Sequence, residues 1–291
     1  MRGARSKHQI ARRTGHVVAK GEDGSHSKFR VLYSAATPSV EGETKVSEVA
    51  APGPLPVHEV RCRILDLEAL NHDVTRAWLR LPVQPAVQWY AGQYLELLMP
   101  EGPCPFSIAT APDEQEFNLE LHVRHGEDNS SSLDVLAALQ ENETMDVRLP
   151  GGERYIDALP DSPVWFVCGS TGFAPAKAMI EHLRDLGFHK PVKLFWGARS
   201  PADLYLDTLP RDWQAEMSAF EYIPVLSEQA PPGQLTGLAH EAAVARLPAD
   251  DMPLIHVAGS PAMAWAAFDA LVDAGVPGER IHSDVFDYAP R

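Results

Sequence analysis

The run Val164-Trp165-Phe166-Val167-Cys168-Gly169-Ser170-Thr171-Gly172-Phe173-Ala174-Pro175 decides how the rest of the chain is read, together with its continuation Ala176-Lys177-Ala178-Met179-Ile180-Glu181-His182-Leu183-Arg184-Asp185-Leu186-Gly187. An apolar run, two glycines and then a helical apolar period spell a buried strand, a tight turn and an amphipathic helix. Met179, Ile180, Leu183 and Leu186 share one helical face, and Gly187 stands where a helix stops. Gly169 and Gly172 allow a backbone to approach a ligand closely, and the free N–H groups of the following helix start favour negative charge such as a pyrophosphate. The spacing is not G-x-G-x-x-G, so the stretch by itself fits a plain turn as well as a nucleotide site.

Downstream, the texture of this stretch repeats. Strands at Val164 to Cys168, Val192 to Trp196, Phe220 to Val225 and Leu254 to Ala258 alternate with helical patterns at Ala176 to Leu186, Ala202 to Met217, Leu235 to Leu247 and Pro261 to Ala274. Such alternation specifies a parallel sheet covered on both faces. A last strand is expected from Ile281 to Phe286.

Upstream, the pattern changes. Val60 to Leu67, Val74 to Leu81, Tyr94 to Met99, Phe117 to Val123 and Met145 to Leu149 are short apolar or alternating segments separated by turn residues, which predicts a small antiparallel barrel. One helix interrupts it, Leu133 to Gln140, with Ser131 and Asp134 in a capping pattern. A helix start is also an anion site, so Ser132 and its neighbours are candidates to meet a phosphate. The fold class is therefore a β domain followed by an α/β domain, with boundaries at 57–158 and 159–291. Residues 1–56 lack a sustained apolar period, end in a Pro-rich exit, and read as a disordered basic leader.

Charge and cysteine usage narrow the function. Residues 1–56 carry 9 Lys and Arg against 5 Asp and Glu, net +4, and the remainder carries 16 against 35, net −19. An acidic folded part repels nucleic acid and tolerates a cationic partner. Cys62, Cys104 and Cys168 are too few and too scattered for a four-cysteine cluster or a disulfide framework. His122 and His125 are three apart in a strand-like run, hence on opposite faces, which suits packed or solvated histidines better than a metal pair. No apolar stretch is long enough to span a bilayer and no secretory signal is present, so the expected compartment is cytoplasmic.

Six blocks then carry a resemblance. Gly92-Gln93-Tyr94-Leu95, Cys104-Pro105-Phe106-Ser107-Ile108-Ala109-Thr110-Ala111-Pro112, Leu149-Pro150-Gly151-Gly152-Glu153, Gly169 to Pro175, Phe195-Trp196-Gly197-Ala198-Arg199 with Asp203-Leu204-Tyr205, and Ala258-Gly259-Ser260-Pro261 follow one another in that order. From about Val57 onward the chain resembles the ferredoxin-NADP reductase superfamily, most closely its NAD(P)H:flavin reductases without an iron-sulfur domain. The resemblance implies an oxidoreductase that moves hydride from NADH or NADPH to a flavin, whether FMN, FAD or riboflavin. It also implies roles. Phe106, Ser107, Ile108, Ala109 and Thr110 would lie along the flavin ring, with the Ser107 hydroxyl on flavin N5. Gly169, Ser170, Thr171, Gly172, Phe173 and Pro175 would hold the nicotinamide end, Gly259 and Ser260 the other side of the dinucleotide, and Arg199 its adenosine half. Phe286 would cover the ring face. Ser107 and Thr171 are the residues expected nearest the reacting atoms.

One position departs from that family's pattern. Its flavin block begins with arginine, and here Cys104 stands in its place; a neutral thiol cannot replace a permanently charged donor fork. A loosely held flavin that is released as product follows from this, and so, alternatively, does a redox-inactive binding or regulatory module that has lost flavin binding. A third class keeps the flavin bound and passes electrons to a protein acceptor such as an oxygenase. Beyond Arg199, the segment Leu226-Ser227-Glu228-Gln229-Ala230-Pro231-Pro232 offers no positive charge for a 2′-phosphate, which favours NADH.

Overall fold

The computed structural model describes residues 54–112, 117–125 and 130–291. Up to residue 53, the expected leader lies outside the described residues. The first lobe consists of β1 (His58–Ala69), β2 (Val74–Arg80), β3 (Tyr94–Met99), β4 (Gly102–Ser107), β5 (Asn118–Arg124), α1 (Ser130–Glu141) and β6 (Thr144–Gly151). Its strands form one antiparallel sheet in the order β4-β3-β6-β1-β2-β5. Beyond β4, the Ala109 N–H donates to the Glu120 carbonyl at 2.8 Å, which ties the two ends of the sheet together around a core of Leu79, Leu95, Leu97, Ile108, Leu119, Leu121 and Val147.

β4 is a strand that periodicity alone does not reveal. Pro103 and Pro105 remove two backbone donors, which an edge strand tolerates and a central one does not. α1 begins at Ser130, so Ser131 sits within its first turn rather than ahead of it.

The second lobe consists of β7 (Val164–Gly169), α2 (Phe173–Asp185), β8 (Val192–Ala198), α3 (Thr208–Glu216), β9 (Phe220–Leu226), β10 (Leu235–Thr236), α4 (Ala239–Val244), β11 (Leu254–Ala258), α5 (Pro261–Asp273), β12 (Ile281–His282) and α6 (Val285–Tyr288). The sheet is parallel with order β10-β9-β8-β7-β11-β12, so β7 lies inside it, and Val164 to Cys168 are all buried. A strand covered on both faces reads as a continuous apolar run.

Three segments depart from expectation. The helix expected over 235–247 is the short strand β10, a turn at Gly237 with φ +118°, and α4, because that backbone conformation suits glycine and ends a helical run. The helix expected over 202–217 is a 3-10 turn, Pro201–Asp203, followed by α3; Asp203 accepts from the Ser200 backbone and hydroxyl at 2.9 Å, closing the turn on itself. The final strand stops at His282, and Ser283 Oγ accepts the Val285 N–H at 3.3 Å to start α6.

The lobes share apolar packing. Val74, Ala91 and Ile156 from the first lobe lie in the same core as Phe166, Met179, Leu183 and Trp196 of the second. The opposite face of the parallel sheet is sealed by Ala242, Ala264, Ala267 and Leu271 from α4 and α5.

Candidate active site

A cleft of about 1350 Å³ opens where the strand ends of the parallel sheet face β3, β4 and the start of α1. In open α/β sheets, the carboxyl ends of the strands are where ligands settle. One wall holds Tyr94, Cys104, Phe106, Ser107 and Ser132, and the other holds Gly169, Ser170, Thr171, Gly172, Pro175, Arg199, Gly259 and Ser260. Ser107 and Thr171 therefore line the same cavity from different lobes.

The turn between β7 and α2 is built to stay close to β11. A Cβ on Gly172 would stand 2.1 Å from the Ala258 carbonyl oxygen, and one on Gly259 would stand 2.5 Å from Met263 Sδ. Ser170 adopts φ +51°, unusual for a side chain with a Cβ, and its carbonyl accepts from the Trp196 indole N–H at 3.0 Å. That indole is fully buried and stacks on Phe173 with centroids 4.0 Å apart, so a rigid aromatic pair fixes the turn from below. Phe173 is thus a support beneath the turn, not a residue of the cleft wall.

Other predicted residues also serve the wall from behind. Ile108 is fully buried in the barrel core, with its N–H donated to the Gln93 carbonyl at 3.0 Å. Ala109 is fully buried as well, and Thr110 Oγ1 accepts the Glu120 N–H at 2.7 Å. Along this segment, Ser107 is the last side chain that faces the cavity. Phe286, expected over the ring face, packs instead against Trp265 (centroids 4.5 Å) and Phe268 (5.3 Å). The physical reason is α6, whose turn carries the aromatic ring toward α5 while Asp284 and Tyr288 remain at the cleft.

Sequence reasoning missed three polar groups. His256 Nε2, His240 Nδ1 and Asp284 Oδ1 are buried, line the cleft, and have no hydrogen-bond partner among the described residues. His256 was readable as a polar residue inside the apolar run of β11; Asp284 had no such signal. Burial, then the neighbouring His282, pushes the His256 imidazole down to about 3, so it is neutral. Burial, reinforced by Asp287 and opposed by Arg154, pushes the Asp284 carboxyl up to about 7.

Orphaned polar atoms, close-packed glycines and aromatic walls from Tyr94 and Phe106 fit a flat, polar-edged ligand such as a flavin. Arg199 is half exposed on the rim, 3.9 Å from the Asp203 carboxylate, and is the cation nearest the end of β8.

Residues 166–268 match the oxidoreductase NAD-binding domain family. Terephthalate 1,2-dioxygenase reductase component 2 of Comamonas is 31% identical over 229 residues, covering 75% of this chain and 65% of that protein's own length. Protein RfbI of Salmonella typhimurium is 30% identical over 228 residues, with 78% and 68% covered. An NAD(P)H-flavin reductase of Aliivibrio fischeri is 28% identical over 235 residues, with 79% and 99% covered. Among solved structures, the Amycolatopsis cytochrome P450 reductase GcoB superposes with a TM-score of 0.71 at 26% identity, over 81% of this chain and 72% of that one. A ferredoxin NADP+ reductase from Neisseria gonorrhoeae with bound FAD and NADP gives 0.62 at 19% identity, over 77% and 97%.

An antiparallel sheet joined to a parallel sheet that matches the oxidoreductase NAD-binding domain family, with a shared cleft, defines the two-lobed reductase fold, and the chain spans just under two thirds of the length of the terephthalate dioxygenase reductase it matches. The chain belongs to the ferredoxin-NADP reductase superfamily and is flavin reductase-like within it.

Proposed function

We propose that this protein transfers hydride from a reduced nicotinamide dinucleotide to a flavin taken as substrate, with the lobe of residues 57–158 holding the flavin and that of 159–291 the dinucleotide. The observation that carries this is the placement of Ser107 and Thr171 in one cleft, each at the end of a rigid strand-turn element. The flavin, when bound, supplies the electron-accepting ring chemistry; the protein supplies orientation and polarity. Ser107 Oγ is the donor for the ring position that gains electron density. Phe106 and Tyr94 offer apolar surface to a planar ring. The Ser170–Gly172 turn presses a pyridine ring toward it, and the start of α2 with Ser260 meets the dinucleotide phosphates. Arg199, paired with Asp203, leaves little positive charge for a 2′-phosphate, so NADH is the preferred donor.

A second reading, with flavin retained and electrons passed to a protein acceptor such as an oxygenase, is favoured by the relatives that are named as reductase components and by the net charge of −19 from residue 57 onward. Three free cysteines and the lack, among the described residues, of any helix long and apolar enough to cross a membrane suit a cytoplasmic location.

A visible spectrum of the purified protein and an NADH oxidation assay with and without added flavin test this. Colourless protein that oxidises NADH only with added flavin is the expected result. Yellow protein active toward a protein acceptor would select the second reading. Failure to oxidise NADH under either condition would overturn both.

A further inference from the structure

Beneath the cleft lies a buried charged cluster that hydride transfer does not use directly. Lys177, on α2, places its ammonium 2.9 Å from Glu120 Oε2, 3.0 Å from Glu181 Oε2 and 3.1 Å from the Ala109 carbonyl. An ammonium has three donors, and here all three are used. Glu120, on β5, also contacts His122 Nε2 at 3.0 Å and Arg76 at 3.6 Å, and Arg76 in turn pairs with Glu68. His122 is buried, and burial lowers its pKa, so the ring is neutral. A carboxylate on Nε2 makes that nitrogen the donor, and Nδ1 then accepts the Tyr205 hydroxyl at 2.9 Å.

These bonds join the two walls of the cleft. Ala109 lies two residues beyond Ser107, while α2, which carries Lys177, begins at the residue after Gly172. Tyr205 follows β8 and is bonded to β5 of the other lobe. Burying such a set of charges gains little stability over apolar packing, so its retention calls for a different explanation. Apolar contacts alone are non-directional, whereas these bonds fix distance and angle.

We propose that Lys177, with Glu120, His122 and Tyr205, is an interlobe anchor that sets the spacing between Ser107 and the Thr171 turn. Lys177 is then a positioning residue for ring-to-ring approach. This rests on the hydride-transfer reading for its consequence, though the anchor itself is a property of the protein alone.

The decisive variant is the triple substitution Glu120→Gln, Lys177→Met and Glu181→Gln, which removes the ammonium together with both carboxylates bonded to it. Expected are a melting temperature close to wild type, faster amide exchange of residues 107–111 in the ligand-free protein, and a flavin reduction rate in stopped flow lower by about 10- to 100-fold, with NAD+ affinity unchanged. A folded triple variant with wild-type exchange and wild-type rate overturns the anchor.

Should the triple variant fail to fold, Tyr205→Phe removes one hydroxyl and keeps the ring. The anchor then requires faster exchange in 118–124 and a rate reduced about 3- to 10-fold at an unchanged melting temperature; wild-type values for both overturn it. If wild-type protein reduces no flavin, the hydride-transfer reading falls, and exchange in both variants still decides the anchor.

Discussion

Gly172 lies against the end of β11 so closely that a Cβ would meet the Ala258 carbonyl oxygen at 2.1 Å and its carbonyl carbon at 2.4 Å. Its φ of −58° and ψ of −10° would suit any residue, so space alone demands glycine here. Both obstructing atoms are backbone of the last residue of β11, which is held in register against Cys168 of β7, and cannot swing aside. Gly172→Ala should therefore push the turn away from β11, costing roughly 1–3 kcal/mol as overpacking does. Because Ser170 and Thr171 move with it, NAD+ affinity should fall more than about tenfold, the equivalent of ~1.4 kcal/mol. Calorimetric titration together with thermal unfolding checks both; wild-type affinity in the variant would show that this turn is not the dinucleotide site.

Ser107→Ala removes the one hydroxyl that β4 directs into the cleft, at no packing cost. Loss of a preorganised donor at a centre of developing charge lowers rates by roughly 100-fold. Single-turnover flavin reduction should fall by that order while Ser107→Thr retains most of it. Equal rates for alanine and wild type would remove Ser107 from the reaction.

How far the sequence could be read follows from what sets each element. β7, the glycine turn and α2 were legible because a strand buried on both faces, a turn against a neighbour and an amphipathic helix each leave a local pattern. β4 was not, since its two prolines argue against a strand unless its edge position is known. The cleft residues Phe106, Ser107, Thr171 and Gly172 were reached through the resemblance of whole blocks. Local pattern could not show that Ile108, Ala109 and Phe173 support the wall from behind, because that depends on which face each strand and helix turns inward. The partners of Lys177 escaped detection for a related reason. A lysine on an amphipathic helix reads as solvated, and only the apposition of β5 from the other lobe buries it.

Phe286 packs with Trp265 and Phe268 away from the cleft, and Arg291 lies over the Trp265 ring at 4.4 Å. Truncating a half-buried aromatic of this kind should cost about 2–3 kcal/mol, below the range for a fully buried phenylalanine. Phe286→Ala is thus expected to lower stability in urea titrations while changing the flavin reduction rate less than about threefold. A large rate loss at unchanged stability would return Phe286 to the cofactor site.

Cys104 sits on β4 opposite Leu97 and lines the cleft half-buried. A guanidinium there would add a charged fork toward a phosphate-bearing ligand. Cys104→Arg should tighten FMN by about tenfold and riboflavin much less, measured by fluorescence quenching of each flavin. Equal tightening of both would mean that the added side chain acts on the ring and not on the phosphate.

Asp284 and His256 tilt stability in opposite directions over the same pH interval. Asp284 is raised to about 7 in the fold from 3.8, so its contribution is present below pH 3.8 and is lost as pH rises toward 7. His256 is lowered to about 3 from 6.5, so its contribution is present above pH 6.5 and is lost as pH falls toward 3. Between about pH 4 and 6.5, folding takes up one proton at the carboxyl and releases one at the imidazole, and the two slopes of ~1.4 kcal/mol per pH unit cancel. Removing either group exposes the other. Asp284→Asn should become more stable, relative to wild type, by up to about 1.4 kcal/mol for each unit of rising pH in that interval. His256→Leu should become less stable relative to wild type by a similar amount per unit. Urea unfolding at half-unit steps from pH 4.5 to 6.5 measures both slopes; parallel curves for wild type and both variants would mean that neither group titrates as its burial dictates.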